Sequence, residues 1–379
     1  DRKGLDRYER FTEDMVDLVL AADGTLKAEH GTGRIMAPFV ERQYGPELYN
    51  VMVKLKNAAD PDRMLNPGTI ITDDPQLHLK DIKLSPTVQE EVDRCVECGY
   101  CEPVCPSRDL TLTPRQRIVV QRAIAQAHAD GDEELAAQLS ADEQYPVIQT
   151  CAVDGMCQTN CPLHINTGDL VRRLRAEGNS PAWQGVWDIA AKGWGPFVSA
   201  ASLGMDAVHH IPTRATNTVL GAARSIVGAD RVPLLSKELP AGGRRRSSGH
   251  RRGPVGRPEV VYLPACVNTM FGSAVPQEET LEFSVLSLLA AAGVGVTVPQ
   301  GIEAVCCGTP WKSKGMTTGY ATMRRRVVDI MQEATHGGEL TVISDAVSCS
   351  EGFVHELEYE GVTGIRIVDA VQYIADELL

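Results

Sequence analysis

Two twelve-residue stretches, CVECGYCEPVCP at 95–106 and CAVDGMCQTNCP at 151–162, constrain this chain more than any other feature. Aligned without a gap, they share Cys, Gly, Cys, Cys and Pro. One key position differs, where Asp154 stands in place of Cys98. Seven of the eleven cysteines fall between residues 95 and 161. The N-terminus, DRKGLDRYER, is polar and shows no signal peptide, and no apolar run is long enough to span a bilayer. With no secretion signal, clustered thiols read as metal ligands rather than disulfides. Gly99 lets the loop turn tightly, and Pro106 ends it with one amide fewer.

The spacing C-x2-C-x2-C-x3-C-P resembles that of bacterial ferredoxins, in which three thiolates on one loop hold three irons of a 4Fe–4S cubane. In two-cluster members the fourth Cys serves the other cluster. The resemblance therefore implies one cluster on Cys95, Cys98, Cys101 and Cys161, and a second on Cys105, Cys151 and Cys157 with Asp154 near its remaining iron. A carboxylate is a harder donor than a thiolate. The second cluster is thus expected to be a 4Fe–4S form with Asp154 or solvent at one iron, convertible to 3Fe–4S on oxidation. A zinc ribbon would prefer two C-x2-C pairs. Between the motifs, TPRQRIVVQRAIAQAHADGDEELAAQL predicts helix, with Thr113 as N-cap and Pro114 at the first helical position. This long insert resembles the α-helical ferredoxins that carry electrons in fumarate reductase and glycerol-3-phosphate dehydrogenase complexes.

From residue 258 the pattern changes to short β-branched strands (EVVYLPA, VGVTVP, ELTVISDA, GIRIVDA) alternating with helices, which predicts a parallel α/β unit. Cys266, Cys306, Cys307 and Cys349 each fall where a strand meets a loop, so they gather at the carboxyl edge of the sheet. This resembles the CCG domain of heterodisulfide reductase and of glycolate oxidase iron–sulfur subunits. That family's pattern often ends in C-x2-C, whereas Cys349 is followed by Gly352. The site is read as a further cluster, zinc or redox-active thiols, against the alternative of inert buried cysteines.

The N-terminal segment carries KAEHGTGR at 27–34 and DPDRMLNPGTI at 60–70, flanked by predicted helices at 1–22 and 38–58 and joined by a turn and short strand. In this order the two motifs resemble the C-terminal domain of FAD-linked oxidases of the vanillyl-alcohol oxidase type. The resemblance implies His30 as the base that takes a hydroxyl proton and Glu29 as a ligand for a divalent metal. It also implies that Gly31 and Gly33 pass close to the flavin of FAD. Arg34 either serves an anionic group or pairs on the surface, and Asn66 either reaches the cofactor or forms the turn with Pro67 and Gly68.

The order of these parts resembles the fused FAD and iron–sulfur D-lactate dehydrogenases of bacteria, related to glycolate oxidase and D-2-hydroxyglutarate dehydrogenase. The expected fold is multidomain α/β plus α. Its parts are the end of an FAD-linked oxidase domain at 1–75, a connector at 76–90, a two-cluster ferredoxin-like domain at 91–180, a helical stretch with a flexible basic linker at 181–257, and a parallel CCG domain at 258–379. The implied activity is acceptor-linked oxidation of D-lactate or a related D-2-hydroxy acid, with a quinone or cytochrome as acceptor. The competing class is an electron-transfer iron–sulfur subunit of glycolate oxidase, glycerol-3-phosphate dehydrogenase or heterodisulfide reductase type, which would lack EHGTGR and LNPG. A net charge of −13 argues against nucleic acid as the main partner. The expected location is cytoplasmic, with peripheral contact on the inner face of the membrane. An internal piece lacking most of the flavin domain and a second CCG unit is expected, inactive by itself.

Overall fold

Helix α1 (Arg2–Ala21) turns one apolar position inward at Val16, which meets Leu26 and Phe39 in a small core. Arg42 of α2 (Val40–Ala59) ties the helices together by pairing with Glu13 at 2.7 Å and with Asp17. Gly45, at φ 76°, bends α2 ahead of Pro46, which has no amide to donate. Asp60 closes the turn after α2 by accepting from the Met64 and Leu65 amides, each at 3.0 Å. The computed structural model describes residues 2–27, 31–82, 85–229, 232–236, 238–246, 258–273 and 279–379. They divide into two units, Asp1–Pro86 and Thr87–Leu379. The short strand expected before the glycine loop is absent among the described residues, where 22–27 is turn and coil.

In the second unit the cysteine loops flank a helical hairpin. The single helical stretch read between them is two helices, α3 (Pro114–Asp130) and α4 (Glu133–Asp142), because Gly131 takes φ 77° and ends the first. Thr113 and Gln116 form a capping box at the start of α3. The second loop contains a single helical turn, α5 (Met156–Thr159), and leads into α6 (Thr167–Gly178). Val92, Ile118, Ile165 and Leu170 form the core under both loops.

Three helices follow: α7 (Pro181–Lys192), α8 (Trp194–His209) and α9 (Thr213–Val227). Trp187 and Trp194 meet the fully buried Trp311 edge-on at 6.1 and 4.7 Å between ring centroids. The expected linker is partly packed. Gly243 donates its amide to Thr269 O at 3.0 Å, and Arg246 is buried. Residues 247–257 lie outside the described residues.

The C-terminal part is a four-stranded parallel sheet: β1 (Val260–Leu263), β2 (Val296–Thr297), β3 (Thr341–Ser344) and β4 (Ile367–Asp369), in the order β2-β1-β3-β4. Short helices α10 (Val267–Met270) and α12 (Thr309–Lys314) follow Cys266 and the Cys306–Cys307 pair. The longer α11 (Leu281–Ala291), α13 (Thr317–Ala334) and α14 (Val347–Tyr359) make the crossovers. All four residues of β1 are buried, as expected of a strand covered on both faces. The strand order reverses direction between β1 and β3, and in open α/β sheets ligands bind at the carboxyl end of such a reversal. Among the described residues no helix is long and apolar enough to cross a membrane.

Candidate functional site

The two N-terminal motifs come together. The Ile70 amide donates to Gly33 O at 3.2 Å, joining the HGTGR loop to LNPGTI. Gly31 and Gly33 take φ 119° and 63°, and a Cβ at either would face open space. Arg34 pairs with Asp81 at 3.1 Å, which favours the surface-pair reading. Asn66 is exposed at φ 44° and accepts the Thr69 amide on its carbonyl, as a turn residue does. Glu29 and His30 lie outside the described residues.

The two cysteine loops share one backbone. Glu97 and Val153 take φ 58° and 57°, and Gly99 and Gly155 take 87° and 75°. Amide-to-carbonyl bonds repeat at equivalent places: Glu102 to Gly99 and Gln158 to Gly155, each 2.9 Å, then Cys105 to Glu102 and Cys161 to Gln158, each 3.2 Å. The repeat extends into the helices that follow. Residues near the starts of α3 and α6 aim amides at thiols of the loops, Arg115 at Cys101 and Thr167 and Gly168 at Cys157. Arg122 of α3 donates to Cys95 O at 2.9 Å, and Arg175 of α6 donates to Cys151 O at 2.8 Å. Sequence reading missed these arginines. A repeat search allowing a three-residue offset change would have aligned them.

Each loop closes part of a small hollow. Cys95, Cys98, Cys101 and Cys161 line one of them, with Arg115 and Ile165. Cys105, Cys151, Cys157 and Asp154 line the other, with Arg117, Thr167 and Gly168. The fourth cysteine of each loop thus faces the other loop's hollow. Asp154 is exposed, and its Oδ1 accepts the Met156 amide at 3.2 Å. Burial pushes the Cys101 thiol up to about 11 and raises that of Cys157. Among the described residues no three His, Cys, Asp or Glu side chains have the geometry of a single-ion site. Four candidate donors line each hollow, four thiols in the first and three thiols with the Asp154 carboxylate in the second.

The C-terminal cysteines also meet. The Sγ atoms of Cys266 and Cys306 are 3.7 Å apart, and Cys307 hydrogen-bonds Cys349 and, at 3.2 Å, Thr309 Oγ1. Hydrogen bonding to Cys306 holds Cys266 below the ordinary thiol range and Cys306 above it. Hydrogen bonds from Cys306 and Cys349 pull Cys307 down to about 3, and the bond to Cys307 raises Cys349. Asp345, just past β3, cross-links the loops by accepting from Tyr262 Oη at 2.8 Å, the Ala265 amide at 2.7 Å and Asn268 Nδ2 at 2.9 Å. Gly352, three residues after Cys349, has no room for a side chain. A Cβ there would lie 2.8 Å from Cys307 O and 2.9 Å from Thr309 Oγ1.

Residues 1–70 match the model of the FAD linked oxidases, C-terminal domain, and residues 91–165 match that of the 4Fe-4S dicluster domain. The chain is 40% identical over 70 residues to the mitochondrial D-lactate dehydrogenase [cytochrome] of Kluyveromyces lactis, covering 18% of this chain and 12% of the relative. It is 33% identical over 70 residues to glycolate oxidase subunit GlcD of Bacillus subtilis, covering 18% of this chain and 15% of the relative. A longer match, 26% over 186 residues, is to the D-2-hydroxyglutarate dehydrogenase of Escherichia coli, covering 42% of this chain and 18% of the relative. The chain thus spans less than a fifth of the length of these relatives. No solved structure matches it. Together the two domain matches and these relatives fit an FAD and iron–sulfur protein similar to the D-lactate dehydrogenases.

Proposed function

We propose that the chain belongs to a dehydrogenase that oxidises D-lactate or a related D-2-hydroxy acid and delivers the electrons singly to a quinone or cytochrome. The observation that carries this reading is the order of the two matched segments, a flavin-oxidase segment followed by a dicluster segment on one chain. A separate electron-transfer subunit would not need the first of these.

When bound, FAD supplies a two-electron acceptor and the iron–sulfur clusters supply one-electron carriers. In this reading His30 takes the proton from the substrate hydroxyl, and Glu29 helps hold a divalent metal that orients the substrate. Gly31 and Gly33, with positive φ and open space where a Cβ would sit, leave their backbone free to approach a flat ring. Cys95, Cys98, Cys101 and Cys161 would hold one cluster. Cys105, Cys151 and Cys157 would hold the other, with Asp154 offering oxygen at its fourth iron. The amides near the starts of α3 and α6 favour anionic sulfur at Cys101 and Cys157. Residues 258–379 would form a CCG-type unit whose four thiols make a single redox site on the way out.

Anaerobic addition of D-lactate, glycolate and D-2-hydroxyglutarate to the FAD-loaded whole protein of which this chain is a part tests the reading. We expect at least one of them to bleach the flavin and bring up the EPR signal of a reduced 4Fe–4S cluster. An oxidised flavin after all three would overturn it.

A further inference from the structure

Helix α8 is apolar on both sides. Its inner face buries Trp194, Val198 and Ser202. Its exposed positions before His209 are Pro196, Phe197, Ala200, Leu203, Gly204 and Ala207, none of them polar. Helix α9 has its polarity reversed. Asn217 and Arg224 turn toward the chain, where Asn217 exchanges two bonds of 2.9 Å with the backbone of Leu235 and Arg224 donates to Val232 O. Outward it shows Ala215, Val219, Ala222 and Ile226, spaced as one helical stripe. Val219 is 71% exposed and Ile226 86%. A helix on the watered surface of a globular protein carries the opposite pattern.

The outward hydroxyls of α9 are already satisfied. Thr218 Oγ1 donates to Arg214 O at 2.9 Å, and Ser225 Oγ donates to Gly221 O at 3.0 Å. This face can therefore lie against a dry surface without leaving those donors unpaired. Charge indicates which surface. Residues 181–257 hold eleven Lys and Arg against four Asp and Glu, in a chain whose formal net charge is −13. Two of the four acids are engaged, since Asp188 pairs with Lys192 at 2.7 Å and Asp206 accepts the Gly242 amide at 2.9 Å. Ser202 Oγ donates to Gly243 O at 2.9 Å, which holds the exposed Arg244 and Arg245 beside α8. Arg214 is exposed in the first turn of α9. The same face of a second copy would set basic groups against basic groups.

We propose that the outward faces of α8 and α9 dock on an anionic phospholipid bilayer. The apolar stripes enter the headgroup region, and Arg214, Arg244 and Arg245 meet lipid phosphates. The contact is peripheral, because among the described residues no helix is long and apolar enough to cross a membrane. None of these residues is a candidate ligand or base, so failure here would leave the dehydrogenase reading standing.

The test uses the whole protein of which this chain is a part, floated with vesicles of phosphatidylcholine containing about 30% phosphatidylglycerol. We expect the parent to float with them and to bind pure phosphatidylcholine at least about tenfold less tightly. Val219→Glu combined with Ile226→Glu should weaken binding to the anionic vesicles by about tenfold or more. Arg214→Gln, Arg244→Gln and Arg245→Gln together should remove most of the preference for anionic lipid. All five positions are outside the core, and circular dichroism checks each fold. Hydrogen exchange of the parent should slow on vesicle addition within residues 196–226, and this arm decides alone if a variant does not fold. A parent that stays in solution overturns the proposal, whether light scattering then finds the protein monomeric or the face covered by a second copy. So does flotation unchanged by the double Glu variant, an anionic preference kept by the triple Gln variant, or exchange protection confined to other segments.

Discussion

Asp154 and Cys98 occupy one backbone position in two copies of a loop. Each is exposed, each follows a residue with φ near 57°, and each precedes a left-handed glycine. The difference between the copies therefore lies in the donor atom and not in the fold. The placement of the cysteines around the two hollows was legible because the turn of each loop is local and spacing encodes it. Arg122 and Arg175 were not, because each reaches its carbonyl from a helix whose approach is set by tertiary packing. Glu143 is a separate case at this scale. Burial pushes its carboxyl up to about 7, against which only its hydrogen bond from Gln121 acts. A carboxyl raised in the folded state carries no penalty below its unfolded value. It costs stability as pH rises toward 7, by roughly 2 to 3 kcal/mol above that. Glu143→Gln should therefore stabilise the protein by about 2 kcal/mol at pH 8 and lose that advantage as pH falls to 5. Denaturant melts at the two pH values check this, and an equal gain at both would contradict it.

At the scale of elements, the strands and crossover helices followed from periodicity, and the positions of Cys266, Cys306, Cys307 and Cys349 followed from strand ends. What composition could not reveal was close approach. The Gly–Ser–Arg stretch read as a solvated tether, yet Gly242 and Gly243 are there because backbone passes against backbone. Gly352 read as a lost ligand, yet its missing side chain lets α14 dock on Cys307. Gly352→Ala should cost about 1 to 3 kcal/mol through overpacking. It should also separate Cys349 from Cys307, detected as slower cross-linking of that pair by a short dithiol-specific reagent. A thermal midpoint and cross-linking rate both equal to the parent's would sink this account of Gly352.

Across the second unit, Arg175 joins the second cysteine loop to the C-terminal part. It donates to Ile148 O at 2.7 Å, Cys151 O at 2.8 Å and Ser313 O at 2.5 Å. Asn179 and Gln184 extend the seam to Lys314 O and Gly315 O, each at 2.8 Å. Arg175→Ala leaves buried carbonyls unpaired, at a cost of about 2 to 4 kcal/mol. It should lower iron occupancy at the Cys151 set while sparing the Cys95 set, which Arg122 holds independently. Iron analysis with EPR of the reduced protein distinguishes the two. The central claim is that the chain holds two clusters of unequal ligation on one repeated scaffold. EPR of the mildly oxidised protein tests it most directly. The account predicts a 3Fe–4S signal in the parent that is lost in Asp154→Cys, with the cluster retained as 4Fe–4S. A parent without that signal, together with an Asp154→Cys variant of unchanged spectrum, would contradict it.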